Sequence, residues 1–156
     1  MWALPLGNNV IARGWTVSGI YTAHSGHPFT VNQSGNNVGT NMTGLPNVVG
    51  DTTGPQTVDQ WFNTAAFQAV SYGVFGNELR NRLTGPGFQN FDMTWQRQIR
   101  FSPRLAATLR WDIFNVFNTV NFGLPNRDLT SAATLGTISS LASDPRTMQI
   151  AARFTF

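Results

Sequence analysis

The sequence contains neither cysteine nor lysine, and each absence excludes a class of site. Without cysteine, the chain can form neither a disulfide framework nor a metal centre with thiolate ligands. The ten basic residues are all arginine and are scattered, apart from Arg80 and Arg82. Since no basic run or basic helix results, we expect no nucleic-acid partner. No apolar run approaches the ~18 residues of a membrane-spanning helix.

Charge of either sign is also scarce. Charged residues make up 11% of the 156 residues and hydrophobic residues 41%, whereas a soluble domain has about 25% charged residues. Asparagine, threonine, glutamine, serine and glycine take the place of charge. Such a composition suits a protein wall that is exposed to lipid on one side, and the length fits one domain.

Two segments near the C-terminal end, about 89–101 and 105–117, alternate apolar and polar residues. Alternation with a period of two is typical of a strand that has one apolar face and one polar face. The apolar positions are Phe91, Met93, Trp95, Ile99 and Phe101 in the first segment, and Leu105, Ala107, Leu109, Trp111 and Ile113 in the second.

The short connection Ser102-Pro-Arg104 predicts a hairpin and its register. Pairing Phe101 with Leu105 places Trp95 opposite Trp111 and matches apolar to apolar residues, apart from Arg97. A shift by one residue would mix the two faces. The spacing of several apolar residues in 105–117 also allows a helix, but the matched hairpin favours two strands.

The remaining strands are predicted at about 1–6, 11–23 and 147–156. Long loops at 32–88 and 119–146 alternate with short connections at 7–10 and 102–104, a pattern typical of membrane β-barrels. Strands of about 10 residues also match what a tilted strand needs to cross the hydrocarbon layer. We therefore predict an all-β, antiparallel up-and-down meander, a partial outer-membrane β-barrel with two long loops.

The two faces of this meander predict different surroundings. Aromatic side chains on the apolar face are candidates for a lipid-facing belt at the membrane interface; the alternative is a soluble aromatic core. Charged side chains on the polar face are expected to point into the barrel and to satisfy one another. The belt candidates are Trp15, Tyr21, Trp95 and Trp111, and the interior polar candidates are Asp92, Arg100, Arg110 and Asp112.

No pattern in the sequence predicts catalysis, a cofactor or a metal. His24 and His27 are the only histidines and have no cysteine or clustered carboxylate near them in sequence. Asp51 and Asp59 lie in an asparagine-rich segment but lack the spacing of an EF-hand. We expect loop histidines and solvated carboxylates, and no enzyme activity.

Several segments, in this order along the chain, resemble TonB-dependent outer-membrane receptors, in particular the Oar-like group with a carboxypeptidase-regulatory-like plug. They are Ser25-Gly-His-Pro-Phe-Thr-Val31, Arg80-Asn-Arg-Leu-Thr-Gly-Pro-Gly87, Phe114-Asn-Val-Phe-Asn-Thr-Val-Asn-Phe-Gly123, Asp144-Pro-Arg146 and Arg153-Phe-Thr-Phe156. The third segment is the near-terminal motif, carried by Phe114, Asn115, Phe117, Asn118, Asn121, Phe122 and Gly123.

The resemblance implies a barrel of about 22 strands in the outer membrane of a Gram-negative bacterium. Its implied partners are outer-membrane lipid, the rest of the barrel with its plug, and the outer-membrane assembly machinery, which would read Phe154 and Phe156. Contact with TonB would come only through an N-terminal plug that this sequence lacks. We therefore expect residues 1–156 to be a C-terminal fragment that does not transport by itself.

Two other classes of function stay open at this point. One is a soluble all-β module for ligand binding or adhesion, in which Trp61, Phe62 and Phe67 form a ligand platform. The other is a β-rich hydrolase, which the lack of a recognisable active site disfavours.

Overall fold

A computed structural model describes residues 2–3, 14–35 and 43–156, which fall into two compact units. The sheet unit consists of Met1–Ala23, Gln89–Val120 and Ser143–Phe156, and the loop unit of His24–Phe88 and Asn121–Ala142. Within the described residues, no helix is long and apolar enough to cross a membrane. Numbered along the chain, the strands are β1 (Trp2–Ala3), β2 (Trp15–His24), β3 (Pro28–Phe29), β4 (Asn47–Val48), β5 (Phe67–Gln68), β6 (Leu83–Thr84), β7 (Phe88–Ser102), β8 (Leu105–Phe114) and β9 (Thr147–Thr155).

The main sheet has the order β1-β2-β7-β8-β9, so strands that are neighbours in the sheet follow one another through the predicted meander. This order confirms that β8 lies between β7 and β9, antiparallel to both. The sheet is open, which agrees with a partial barrel. Of the predicted strand 1–6 only residues 2–3 are described, and the connection 7–10 and residues 11–13 lie outside the described residues.

The hairpin formed by β7 and β8 confirms the predicted register over most of its length. Trp95 pairs with Trp111 and Thr94 with Asp112. The predicted pairing of Phe101 with Leu105 is wrong, because Leu105 pairs with Ser102 across a β-bulge. The Ser102 hydroxyl oxygen accepts hydrogen bonds from the backbone N–H of Arg104 (3.3 Å) and Leu105 (3.1 Å), so serine closes a two-residue turn and the bulge absorbs the extra residue.

Strand β9 continues the separation of faces that begins in the hairpin. Trp111 pairs with Ile150 and Ala107 with Phe154, while Asp112 pairs with Gln149. All nine residues of β9 are exposed. The apolar residues of this edge strand therefore have apolar neighbours on β8 but are not covered by the rest of the described residues.

The two long segments predicted as loops contribute to a packed structure. Within the loop unit they pack around one hydrophobic core, whose buried members are Phe29, Val31, Phe62, Ala66, Phe67 and Leu135. The Phe62 ring lies 5.8 Å from that of Phe29 and 5.5 Å from that of Phe67, centroid to centroid. A 3₁₀ turn at Thr64–Ala66 is capped by the Asn63 side chain and places Ala66 in the core.

The predicted loop 119–146 contains an irregular antiparallel ribbon with an isolated bridge between Phe122 and Leu141. Backbone N–H groups of Ala142, Gly123 and Asn126 donate to the carbonyls of Asn121, Ser140 and Thr137, each at 2.8 Å. Sequence alternation is weak here because neither side of the ribbon carries a continuous apolar row. The ribbon was therefore missed at the level of sequence.

Two of the segments noted in the sequence lie side by side in the loop unit. Strand β3 pairs antiparallel with β6, and the Gly85 N–H donates to the His27 carbonyl at 2.9 Å. A Cβ atom on Gly26 would lie 1.7 Å from the Gly85 carbonyl oxygen. Only glycine permits this approach of two backbones, which explains the glycine before His27-Pro28.

Candidate membrane-facing surface and the turn after β8

Three tryptophans form a row across adjacent strands on the apolar face of the sheet unit. Trp95 of β7 pairs with Trp111 of β8 and meets Trp15 of β2 in an edge-to-face contact with 6.4 Å between ring centroids. Trp111 is 39% exposed and its β9 neighbour Ile150 is 78% exposed. The tryptophan row is therefore accessible to the medium that surrounds this face of the sheet.

Arg97 breaks the apolar pattern of β7, and the structure gives it a local partner. Its guanidinium carbon lies 5.8 Å from the ring centroid of Trp15, a cation–π distance. An arginine that covers an indole can keep its aliphatic stem on apolar surface while its charged end reaches a polar layer. The exception in the sequence is therefore compatible with a lipid-facing row.

A second aromatic group lies farther along the same strands. The Phe91 ring stacks on Phe117 with centroids 5.7 Å apart. A Cβ atom on Gly19 would lie 2.9 Å from the Phe91 ring, so the glycine in β2 leaves room for that ring. Tyr21, which is 64% exposed, borders a cavity of about 390 Å³ together with both phenylalanines.

The polar face carries one compact charged cluster. The Arg110 Nε–H donates to both carboxylate oxygens of Asp112, at 3.0 and 2.8 Å, and the Thr94 hydroxyl donates to Oδ1 at 2.6 Å. Asp112 is 8% exposed. Arg100 is exposed and makes no ion pair within the described residues, so the structure brings together only two of the four predicted interior residues as a pair.

Asp92, predicted beside them, instead organises the end of the hairpin. Its Oδ1 accepts hydrogen bonds from the Asn90 side chain at 2.8 Å and from the Asn115 backbone N–H at 2.9 Å. The Asn115 side chain is itself bonded in both directions to the backbone of Thr119. A carboxylate on β7 thus fixes the turn 115–119, which follows β8.

The same turn holds the chain where it returns to β9. Asn115 donates from its side chain to the Asp144 carbonyl at 3.2 Å, and the Arg146 backbone N–H donates to the side-chain oxygen of Asn118 at 3.0 Å. Both asparagines have φ of +51°, a conformation that asparagine tolerates better than most residues. The asparagines of the near-terminal motif are therefore explained by the geometry of a turn.

The other residues of the motif are divided between the two units. Asn121 is 3% exposed, Phe122 forms an isolated bridge with Leu141, and a Cβ atom on Gly123 would lie 2.4 Å from the Ser140 hydroxyl. Phe114 ends β8 opposite Thr147. At the end of the chain Phe154 is 63% exposed and Phe156 99% exposed, as a signal for another protein would need to be.

Two carboxylates of the loop unit have shifted pKa values with clear causes. Burial raises the pKa of Glu78, and the Arg82 guanidinium at 3.0 Å opposes that shift only in part. Hydrogen bonds from Ser34 and Thr130 lower the pKa of Asp128 to about 2. Both groups are explained by the fold of the loop unit.

The remaining candidates from the sequence give no site. His24 stacks on Phe88, with 5.0 Å between ring centroids. Asp51 caps a local turn by accepting from the Thr53 N–H at 2.9 Å. Among the described residues, no three histidine or carboxylate side chains come together as metal ligands would. The predicted platform of Trp61, Phe62 and Phe67 is wrong, because Phe62 and Phe67 are 2% and 6% exposed.

Comparison with protein families distinguishes the membrane barrel from the soluble module. Residues 1–149 match the family described as outer membrane beta barrel domain. The chain belongs to this family. No curated protein and no solved structure matches the sequence.

Membership in the outer membrane beta barrel domain family accounts for the contrast between the faces of the sheet unit. The protein is an outer-membrane β-barrel protein whose wall contacts membrane lipid. In a barrel, side chains alternate between lipid and lumen along every strand. The exposed apolar row suits contact with lipid. The Arg110–Asp112 pair, whose opposite charges neutralise each other, suits the lumen.

Proposed function

We propose that this chain is the C-terminal wall segment of a TonB-dependent receptor of the Oar-like group in a Gram-negative outer membrane. In the whole receptor it would take part in energy-coupled uptake by supplying barrel wall, extracellular loops and an assembly signal. The observation that carries the proposal is the pairing of the resembling segments. Segment 25–31 lies against 80–87, and the turn 115–119 holds 144–146.

The open sheet supports the idea that further strands complete the barrel. Single-chain barrels have at least about 8 strands, and β9 exposes its whole length. An unpaired edge of this kind is a template for another strand. We propose that the rest of the barrel pairs with it, and that TonB acts only through a plug in that remaining part.

The proposal assigns a role to each group on the sheet unit. Trp15, Tyr21, Trp95 and Trp111 face lipid, with the aromatic groups near the interface, because amphipathic rings favour the headgroup level. Asp92, Arg100, Arg110 and Asp112 face the lumen. Phe154 and Phe156 are read by the assembly machinery. No residue is assigned a catalytic role.

Cysteine labelling tests the two faces, because a chain without cysteine gives each introduced thiol a unique signal. In outer membranes, Thr108→Cys and Arg110→Cys should react with a water-soluble maleimide several-fold faster than Leu109→Cys and Trp111→Cys. Equal reaction along β8 would contradict a lipid-facing and a lumen-facing side.

The gene tests the membership in the Oar-like group. An open frame upstream of the Met1 codon that encodes a plug and further alternating strands would support the proposal. A stop codon directly upstream, in frame, would contradict the C-terminal segment. Partition of the chain into detergent micelles separates the membrane protein from the soluble-module alternative.

A further inference from the structure

A cleft in the loop unit has the composition of a ligand site that the barrel wall does not need. Its volume is about 500 Å³, within the range of about 300–1,000 Å³ typical of small-molecule sites. Polar side chains with hydrogen-bond donors dominate the lining: Thr30, Asn32, Thr43, Arg80, Asn81 and Arg127.

The floor of the cleft is built on the hydrophobic core. Along the segment that begins with β3, Phe29 and Val31 are 1% and 0% exposed, while the alternate residues Thr30 and Asn32 line the cleft. Because the buried side chains fix this segment, the two polar side chains between and beyond them have defined positions. The site therefore has a rigid base.

The chain at both arginines is tied to this base by hydrogen bonds, at Arg127 directly and at Arg80 through its neighbour Asn81. The Asn81 N–H donates to the Thr30 hydroxyl at 2.7 Å, which holds the residue next to Arg80. The Asn32 N–H donates to the Arg127 carbonyl at 2.9 Å. Two arginines that are far apart in the sequence thus line one cleft.

Neither of these arginines forms an ion pair within the described residues. All seven carboxylates of the chain lie in the described residues, and none forms an ion pair with Arg80 or Arg127. Asp128, the neighbour of Arg127, turns its Oδ1 to Ser34 and Thr130 instead. The contrast is Arg82, whose Nε–H is paired with Glu78 at 3.0 Å.

This positive site is local, since the loop unit as a whole is slightly acidic. The unit contains three arginines and four carboxylates, Asp51, Asp59, Glu78 and Asp128. The two arginines without an ion pair both line the same cleft. A general basic surface would not produce this arrangement.

We propose that the cleft binds a small anionic, hydroxyl-bearing ligand, an acidic sugar or a sugar phosphate. Guanidinium groups match carboxylate and phosphate oxygens with two parallel hydrogen bonds, and the amide and hydroxyl side chains match sugar hydroxyls. The inference goes beyond the proposed function, because it needs only the fold of the loop unit and no uptake.

Calorimetric titration of the full chain in detergent micelles tests the site with three probes: glucuronate, glucose 6-phosphate and neutral glucose. Glucuronate and glucose 6-phosphate distinguish a carboxylate from a phosphate preference. At least one of them should bind, at least about tenfold more tightly than glucose. Arg80→Gln and Arg127→Gln should each weaken that binding by about tenfold or more.

Arg104→Gln is the matched control, because it removes the same charge from the exposed turn between β7 and β8. Its affinity should equal that of the unaltered chain, and Arg→Lys variants at 80 and 127 should lie between. Near-ultraviolet circular dichroism checks that each variant keeps its fold. The proposal is overturned if no acidic probe binds at about 10 mM, if glucose binds equally well, or if folded Arg→Gln variants at 80 and 127 bind like the control.

Discussion

The sheet unit and the loop unit use apolar residues in opposite ways. In the loop unit Phe62 is 2% exposed and packs between two other phenylalanines, whereas in the sheet unit Ile150 and Phe154 are 78% and 63% exposed. The loop unit supplies its own apolar partners, and the sheet unit leaves that task to lipid. Similar residues therefore stabilise the protein in one unit by protein packing and in the other by the membrane.

The largest expected loss of stability comes from removing a buried side chain of the loop unit. It tests whether packing within the protein stabilises this unit. Phe62→Ala should reduce the free energy of unfolding by about 3–5 kcal/mol through loss of burial and a cavity. The measurement is urea unfolding followed by near-ultraviolet circular dichroism in micelles.

Ile150→Ala is the control for Phe62→Ala: it loses contact with the detergent or lipid but leaves no cavity in a protein core, so it should lower the same free energy by less, about 1–2 kcal/mol. Equal losses for the two variants would contradict the contrast between the units.

The turn 115–119 should come next in size. Asn115→Ala loses the side-chain bonds to Thr119 and Asp144 and must keep φ of +51°, which together predicts a loss of about 2–3 kcal/mol. Asn115→Gly keeps the backbone conformation and should lose about 1 kcal/mol less. If Asn115→Gly and Asn115→Ala lower the free energy of unfolding equally, the positive φ at this position contributes nothing to the loss.

A smaller effect is expected for the paired indoles. A double-mutant cycle with Trp95→Ala and Trp111→Ala in lipid bilayers should give a coupling of about 0.5–1 kcal/mol, as for other cross-strand aromatic pairs. The pair Gln98 and Thr108, opposite each other on the polar face, is the control and should give less. A larger coupling for Gln98 and Thr108 would mean that the polar face, and not the apolar face, carries the stabilising cross-strand contacts.

The smallest effect is the pH dependence of the loop unit. Burial raises the pKa of Glu78 above its ordinary value of 4.5, so the folded unit holds this proton more tightly than the unfolded chain. Its contribution to stability is full below the ordinary pKa and is lost as pH rises through the folded pKa. Glu78→Gln should flatten this decline in urea unfolding as pH rises above 4.5; an unchanged slope would contradict the assignment.

Asp128 predicts the opposite slope at lower pH. Its pKa falls from 3.8 to about 2, so its contribution is present above 3.8 and is lost as pH falls toward 2. Asp128→Asn should remove that acid-side decline while leaving the Glu78 slope intact. A decline of the same steepness in the variant would exclude Asp128 as its source.

The fold of the sheet unit could be predicted from the sequence because its order is local. Alternation in 89–117 and the short connection 102–104 together placed Trp95 opposite Trp111. The bulge at Ser102 was missed, since a hydroxyl that bonds two backbone N–H groups does not alter the alternation of the sequence. The predicted strand 105–117 is also too long, because β8 ends at Phe114 and Asn115 has a positive φ of +51°.

The loop unit could not be predicted in the same way. Its core joins Phe29 to Leu135, residues that are distant in the chain and belong to no periodic pattern. The same holds for the cleft, because Arg80 and Arg127 meet only through the Thr30–Asn32 segment. The resemblance indicated which segments matter, but not that they lie against one another in pairs.

The ribbon in 121–142 has a consequence for the order of folding events. If the connection from 115 to 146 were unstructured, β8 could pair with β9 only by closing this whole loop in one step. The entropy cost of loop closure grows with the length of the loop. The bonds at Asn126–Thr137, Gly123–Ser140 and Asn121–Ala142 each shorten the remaining gap for the next. The connection can therefore form pair by pair, from residues 126 and 137 toward its two ends. Strand β9 then reaches β8 through a series of short loop closures, at a rate set by local contacts.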